Sequence, residues 1–285
     1  MFHHILTIIY RNFKRFRSTF LINLIGLSTG LACAIVIYLW VADETRIDRF
    51  HEHGDRLFQV MTNQNRPDVI VTLGEGPGML EDELPAAFPE IEYAVGSSGI
   101  GDFITLSTPN KNLQATGQFA GLHYFEIFSF PLLEGNPKDV LKDEKSIVLS
   151  QRMALALFDT DKDVVGKALE WKVPGYTEQV MVSGIFEDIN PMSSLQFDFV
   201  LPYDVYEDFM RSMGSLSWGN HNAVTYLLLK EHTDVALLND KIRGFVRKHD
   251  PTSNLTLFLK PFGDNYLYSK YENGKIAGGR IVYVR

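Results

Sequence analysis

The feature that most constrains this chain is an uncharged, strongly apolar run at residues 20–42. The run is 23 residues long, and as an α-helix it would extend about 35 Å, enough to cross a hydrocarbon layer of about 30 Å. The alternative is a cleavable signal sequence, whose apolar region is usually about 7–15 residues and ends at small residues. This run ends instead in Ile-Tyr-Leu-Trp-Val. We therefore predict a retained membrane-spanning helix over residues 20–42.

The charges on either side of this run predict its orientation. Arg11, Lys14, Arg15 and Arg17 precede it, and acidic residues follow it directly. Because basic flanks stay in the cytoplasm, we expect a cytoplasmic N-terminus in the inner membrane of the cell. The four cations are then basic anchors that contact the lipid of the inner leaflet. Residues 43–285 would form a periplasmic domain, with one core or two subdomains.

Residues 1–19 carry an apolar stripe with helical spacing. Its members recur every three or four positions: Phe2, Ile5, Leu6, Ile9, Phe13, Phe16 and Phe20. Such a stripe indicates a cytoplasmic amphipathic segment that lies on the membrane surface. The alternative is a basic stub that extends the membrane helix into the cytoplasm.

Small residues recur every fourth position within the predicted span. Gly26, Gly30 and Ala34 would share one helix face and leave a shallow groove in which a second helix can approach closely. They are candidates for helix packing. Small residues are also common in membrane helices for other reasons, so chance remains the alternative.

Charge and cysteine content limit what the outer part can be. The formal net charge is −8 for the whole chain and +4 for residues 1–42, which leaves −12 for residues 43–285. A nucleic-acid partner is therefore not expected, because binding to phosphates requires positive charge. The one cysteine, Cys33, lies inside the span, so the outer domain must be stabilised by packing and not by disulfides.

The hydrophobic pattern of residues 43–285 mixes strands and helices irregularly, which favours α+β layers over a doubly wound sheet. Ser150 is a predicted N-cap for the second of four helices. The predicted helices cover residues 79–88, 151–158, 205–213 and 235–248. The predicted strands cover residues 56–62, 103–107, 113–119, 146–149, 168–173, 178–186, 196–201, 223–230 and 255–259.

No segment of the sequence predicts a nucleotide site or a catalytic group. Gly166-Lys167 is followed by Ala168 instead of the Ser or Thr of a phosphate-binding loop. The glycine-rich segment 74–78 contains an acid and a proline, so we interpret it as a mobile loop before a helix. Ser97-Ser98 does not match a nucleophile elbow. We therefore expect no enzymatic activity and no cofactor.

Two other clusters have a structural interpretation beside a functional one. His51-Glu52-His53 could offer metal ligands, but with no second cluster nearby we interpret it as a polar turn, and we expect no metal. The aromatic residues Tyr124, Phe125, Phe128 and Phe130 could line a hydrophobic substrate path, but such a cluster is more typical of a core.

Several short segments, taken in order, resemble one known family. They are residues 43–44 (Asp-Glu), 48–51 (Asp-Arg-Phe-His), 55–60, 88–92, 128–136, 146–150, 165–167, 182–188 and 195–199. Their order and spacing are similar to ABC transporter permeases of the FtsX/MacB type, specifically the first membrane helix and the MacB-like periplasmic core domain. Ser194 stands where the family's turn would have histidine. We expect the chain to be truncated before the second membrane helix, because family members continue into that helix after a segment like residues 278–285.

The resemblance implies a function and partners. Two permease copies would pair in the membrane, and a cytoplasmic ABC-type ATPase subunit would drive movement of the periplasmic domains. The chain would then be a non-catalytic transporter subunit for efflux, extraction or mechanotransmission. An unbroken connection from Asp43 to Phe50, which contains no glycine or proline, would act as a rigid lever. The alternatives are a single-pass, membrane-tethered periplasmic sensor or ligand-binding module, and an anchored envelope enzyme.

Overall fold

A computed structural model describes residue 11 and residues 14–99 and 104–284. The chain divides after Arg46 into two compact units, the second of which begins at Ile47. In the first unit, helix α1 covers Arg17–Arg46 and has no buried residue. It is long and apolar enough to cross a membrane, and within the described part of the chain it is the one helix of that kind. The predicted stripe members Phe2, Ile5, Leu6, Ile9 and Phe13 lie outside the described residues.

The connection after α1 is not the unbroken one expected from the sequence. The helix ends at Arg46, and Asp48 has a left-handed backbone conformation with φ of 60°. Aspartate tolerates this region better than most residues because its short side chain can form local hydrogen bonds. The prediction of a rigid lever up to Phe50 was therefore wrong at this point.

The second unit contains fifteen described strands and seven described helices. The helices are α2 (Leu80–Ala87), α3 (Tyr124–Ile127), α4 (Gln151–Phe158), α5 (Tyr203–Ser212), α6 (Val235–Ile242), α7 (Phe245–His249) and α8 (Ile281–Val284). The first strands are β1 (Leu57–Asn65), β2 (Ile70–Leu73), β3 (Ile91–Gly99), β4 (Ile104–Thr108), β5 (Lys111–Ala115), β6 (Gly117–Ala120), β7 (Leu132–Glu134) and β8 (Ser146–Ser150). The later strands are β9 (Ala168–Val173), β10 (Tyr176–Phe186), β11 (Phe199–Pro202), β12 (Val224–Leu229), β13 (Leu255–Pro261), β14 (Lys270–Glu272) and β15 (Lys275–Gly278).

Thirteen of these strands form one mixed sheet in the order β13-β1-β12-β3-β6-β11-β8-β10-β9-β4-β5, with β2 on β1 and β7 on β10. Neighbours are antiparallel except for two parallel pairs, β6 with β11 and β8 with β10. Strands β14 and β15 form a separate hairpin. The domain is therefore mixed α+β, as the sequence predicted.

Three hydrophobic clusters cover the two faces of the sheet. One joins α4 and α5 to β4, β8, β9 and β10, a second contains the aromatic residues around α3, and a third places α2, α6 and α7 against β1, β12 and β13. Strands β8 and β11 are buried throughout. Strands covered on both faces read as continuous apolar runs, which is why they were visible in the sequence.

Most predicted elements are present, and the predicted cap is confirmed, because the Ser150 hydroxyl accepts a hydrogen bond from the Met153 amide at 3.2 Å. The single strand predicted over residues 113–119 was wrong. The strand is interrupted at Thr116. The Thr116 amide donates a hydrogen bond to the Asp198 carboxylate at 3.0 Å, and the Thr116 carbonyl accepts one from the Asp198 amide at 2.7 Å. Strands β5 and β6 on either side then join different parts of the sheet.

The helix predicted over residues 235–248 is also broken. It divides at Gly244, where the Arg243 carbonyl accepts a hydrogen bond from the Leu257 amide in β13.

The glycine-rich segment 74–78 is not a free loop, because Gly76 forms a bridge with Ala223 and its amide donates to the Ala223 carbonyl at 2.7 Å. Strands β2, β3, β7, β14 and β15 were not predicted.

Candidate functional site

The segment that directly follows α1 is fixed to the rest of the domain by a buried carboxylate. Asp48 is 1% exposed, and its Oδ1 accepts a hydrogen bond from the Ser194 amide at 2.7 Å. Its own amide donates to the Met192 carbonyl at 2.9 Å. Burial raises the pKa of Asp48, against the hydrogen bonds from Ser194 and the charge of Arg49. The backbone amide of Ser194 makes this contact.

The next residue contacts a segment from the other end of the domain. The Arg49 guanidinium donates to the Asp264 carboxylate at 2.9 Å. Asp264 belongs to a short 3₁₀ turn, Phe262–Asp264, that follows β13. A Cβ added at Gly263 would lie 3.1 Å from the guanidinium, so the absence of a side chain there lets Arg49 lie close to the turn. This ion pair joins the first residues of the domain to the turn after its edge strand β13.

His51 lies in an aromatic core and not in a polar turn, so that prediction was wrong. The side chain is buried, and its ring contacts those of Phe128, Phe130 and Phe262 at centroid distances of 5.3, 5.5 and 5.3 Å. Its Nδ1 accepts a hydrogen bond from the Ser129 amide at 3.1 Å. Burial lowers the pKa of His51 to about 4, so the ring is neutral at ordinary pH.

The two histidines of the His51-Glu52-His53 cluster do not face a common centre. His53 contacts Arg56 through its Nδ1 at 3.2 Å, whereas Nδ1 of His51 is occupied by the Ser129 amide. Within residues 14–99 and 104–284, no group of three or more His, Cys, Asp or Glu side chains has the arrangement of a metal site. We therefore assign the cluster a structural role.

The aromatic cluster is core, which confirms the prediction. Tyr124, Phe125, Phe128 and Phe130 are all buried, and they pack with Phe197 and Phe262. Burial raises the pKa of the Tyr124 hydroxyl. We call the residues Asp48, Arg49 and His51, together with their partners Ser194, Asp264 and Ser129, the junction cluster. It fixes the chain after α1 to three segments that are distant in sequence.

The other predicted site residues belong to the first unit. An added Cβ at Gly26 or Gly30 would meet no atom within 4 Å, and Ala34 is exposed. The basic residues Arg11, Lys14, Arg15 and Arg17 are exposed, and the Arg15 guanidinium lies 5.5 Å from the Phe16 ring centroid. Their roles in helix packing and lipid anchoring stay predictions.

A half-buried carboxylic acid in α2 was missed in the sequence. The Gly96 amide donates to Glu81 at 2.8 Å, and a Cβ added at Gly121 would lie 1.9 Å from its other oxygen, so both glycines make room for the carboxyl group. Glu81 lines a cavity of ≈550 Å³. Burial raises the pKa of Glu81 to about 8, and three nearby acids act in the same direction: Asp82, Glu207 and Asp204. No local motif marks such a residue, because both glycines are distant in sequence.

The described residues combine two features of a membrane-anchored protein. An apolar helix is long enough to span a membrane, and the first residues of the α+β domain that follows it form hydrogen bonds with distant segments of that domain. The family of the MacB-like periplasmic core domain matches residues 20–245. The chain belongs to this family, which is that of the FtsX/MacB-type ABC transporter permeases. Permeases of this kind are transporter components and are generally not catalytic themselves.

One solved structure shares the fold, and two others align with lower scores. A domain of a Porphyromonas gingivalis protein assigned as a permease aligns with a TM-score of 0.61 at 21% identity, over 74% of this chain and 93% of that one. The periplasmic region of MacB from Actinobacillus actinomycetemcomitans aligns at 0.49 and 12% identity, over 72% and 89% of the two chains. The extracellular domain of the noncanonic ABC-type transporter YknZ from Gram-positive bacteria aligns at 0.49 and 11%, over 72% and 99%. The comparison with curated proteins gave no match.

Proposed function

We propose that this chain is a non-catalytic permease subunit that couples ATP hydrolysis by a cytoplasmic ABC-type ATPase to movement of its periplasmic domain. The movement would serve efflux, extraction of a cargo, or mechanical control of another envelope protein. Membership of the permease family supports this function. The sequence offers no phosphate-binding loop of its own, so the ATPase must be a separate subunit or domain.

The junction cluster is the observation that carries the proposal. Three residues within four positions of one another contact three different distant segments, at Ser194, Asp264 and Ser129. Packed cores and buried hydrogen bonds resist deformation. A displacement applied to the chain at residue 47 would therefore move these segments together, and the sheet with them, as one body.

The remaining parts of the chain have matching roles in this proposal. Residues 1–19 form a cytoplasmic basic segment, residues 20–42 cross the inner membrane, and residues 43–285 are periplasmic. Arg11, Lys14, Arg15 and Arg17 contact the lipid phosphates of the inner leaflet. Gly26, Gly30 and Ala34 allow a helix of the second permease copy to approach closely. The net charge of −12 on residues 43–285 disfavours a nucleic-acid partner.

ATP turnover in reconstituted membranes tests the coupling. The full protein would be purified alone, and also together with a candidate ABC-type ATPase from the same organism, in lipid nanodiscs. We expect no hydrolysis by the chain alone, and a rate for the complex that differs from that of the ATPase alone. Equal rates with and without the chain would contradict the proposal and favour a tethered binding module.

Labelling of single cysteines tests the orientation. In a Cys33→Ala background, Glu231→Cys would place a thiol on the exposed turn after β12, and Lys14→Cys would place one before α1. A membrane-impermeant maleimide should label residue 231 in spheroplasts and residue 14 only after lysis. The reverse pattern would contradict a periplasmic domain.

A further inference from the structure

A largely apolar groove lies between the β9–β10 hairpin and α5. Its volume is ≈550 Å³, which falls in the range of about 300–1,000 Å³ that is typical of ligand sites. Aromatic side chains form a continuous wall. Tyr176 contacts Trp171 at 5.2 Å between ring centroids, Trp171 contacts Phe119 at 6.2 Å, and Phe119 contacts Tyr206 at 5.6 Å.

The wall combines a buried, unpaired polar group with two exposed aromatic rings. The indole N–H of Trp171 is buried and has no hydrogen-bond partner within the described part of the chain, and the residue itself is only 4% exposed. A buried polar group without a partner is costly and calls for an explanation. At the mouth of the groove, the rings of Tyr176 and Phe209 are 42% and 55% exposed. Adjacent exposed aromatic rings around a cavity are typical of an interaction site.

Charges around the groove are mainly negative. Glu144, Glu178 and Asp208 line it, and Lys145 is the one cation among the described lining residues. The Tyr176 hydroxyl donates to the Glu178 carboxylate at 2.5 Å, which holds that carboxylate at the mouth. Asp208 also pairs with Arg211 at 2.7 Å, but both side chains are exposed, and such pairs contribute little.

We propose that this groove binds a basic, amphipathic peptide segment of a partner protein, with an apolar side chain packed among the aromatic rings and Lys or Arg side chains beside the rim carboxylates. The three carboxylates belong to three separate elements, namely the loop before β8, strand β10 and helix α5. A peptide that carries several cations can place one beside each of them. This site depends on the chemistry of the groove and requires neither the ATPase nor a second copy.

Peptide binding to the full chain tests the proposal. A fluorescein-labelled Lys-Leu-Phe-Lys-Leu peptide would be titrated onto the protein in zwitterionic nanodiscs, with empty nanodiscs as the blank. We expect the basic peptide to bind at least about tenfold more tightly than its Glu-Leu-Phe-Glu-Leu counterpart, and its binding to weaken with salt. Equal affinity for both peptides would overturn the proposal.

Surface variants locate the site on the groove. Phe209→Ser removes an exposed ring, and Glu178→Gln removes a rim charge; we expect each to weaken binding by about three- to tenfold. Leu237→Ser is the matched control, because Leu237 is 54% exposed on α6, away from the groove. Equal loss in the control, or no loss in the groove variants, would overturn the proposal. Binding of a small apolar cation, tetraphenylphosphonium, as tightly as the peptide would also overturn the proposal, because it would indicate a small-molecule site.

Discussion

Arg49 and Asp264 form an ion pair at 2.9 Å although 215 positions separate them in the sequence. Arg49 belongs to the segment that follows the apolar helix, and Asp264 to the turn that follows β13, the edge strand of the sheet. The pair is partly exposed, so its contribution to the free energy of unfolding is small, about 0–1 kcal/mol. Its position suits a mechanical role, because it joins the first residues of the domain to the turn after β13.

Replacement of Asp48 by alanine should destabilise the domain. The Ser194 amide would lose its acceptor, and alanine would have to adopt a left-handed conformation, so we expect a loss of about 2 kcal/mol or more. Asp48→Asn keeps an acceptor oxygen and tolerates the same backbone, and should stay within about 1 kcal/mol of the parent. Urea unfolding in nanodiscs, followed by tryptophan fluorescence, measures both variants. Equal loss in the two would contradict the assigned role of the carboxylate oxygen.

Glu81 should make the domain less stable as the pH rises. Its pKa is raised from 4.5 to about 8 in the folded state, so the folded protein binds more protons than the unfolded chain between these values. The stabilising contribution is full below pH 4.5 and is lost as the pH rises through about 8. Glu81→Gln should flatten this dependence. Glu83→Gln, on the exposed side of the same helix, should keep the parent slope in urea unfolding across this window.

His51 should make the domain less stable as the pH falls. Its pKa is lowered from 6.5 to about 4, so the unfolded chain binds more protons in this window, and stability is lost as the pH falls from 6.5 towards 4. His51→Asn removes the titrating group and can still accept from the Ser129 amide. The difference in unfolding free energy between parent and variant should therefore change across this window. A constant difference would show that the aromatic core does not lower the pKa of His51.

Local patterns predicted much of the fold, because they report burial and capping within a few residues. The apolar helix, the buried strands β8 and β11 and the Ser150 cap are of this kind. The break at Thr116 was missed because it depends on Asp198, which lies 82 positions away. The alternating pattern that predicted one strand over residues 113–119 cannot reveal such a partner.

The candidate site was missed for the same reason. Asp48 and His51 belong to a charged, histidine-containing segment, which reads as an exposed turn. Their partners Ser194 and Ser129 lie 146 and 78 positions away, and both supply backbone amides, which leave no signature in the sequence. Residues 48–51 are among the segments that resemble the family, but only the structure shows that Asp48 and His51 are buried in the core.

The most direct test of the central claim is the ATP-dependent movement of the domain, measured between spin labels. Glu231→Cys in a Cys33→Ala background places one label on each of two copies, reconstituted with the ATPase in nanodiscs. We predict that ATP shifts the distance distribution in the parent, that Arg49→Glu reduces the shift, and that Arg49→Glu with Asp264→Arg restores it. Arg243→Glu, which breaks the similarly exposed pair with Asp240, is the control and should behave like the parent. An unchanged ATP response in Arg49→Glu, or an equal loss in the control, would contradict transmission through the junction cluster.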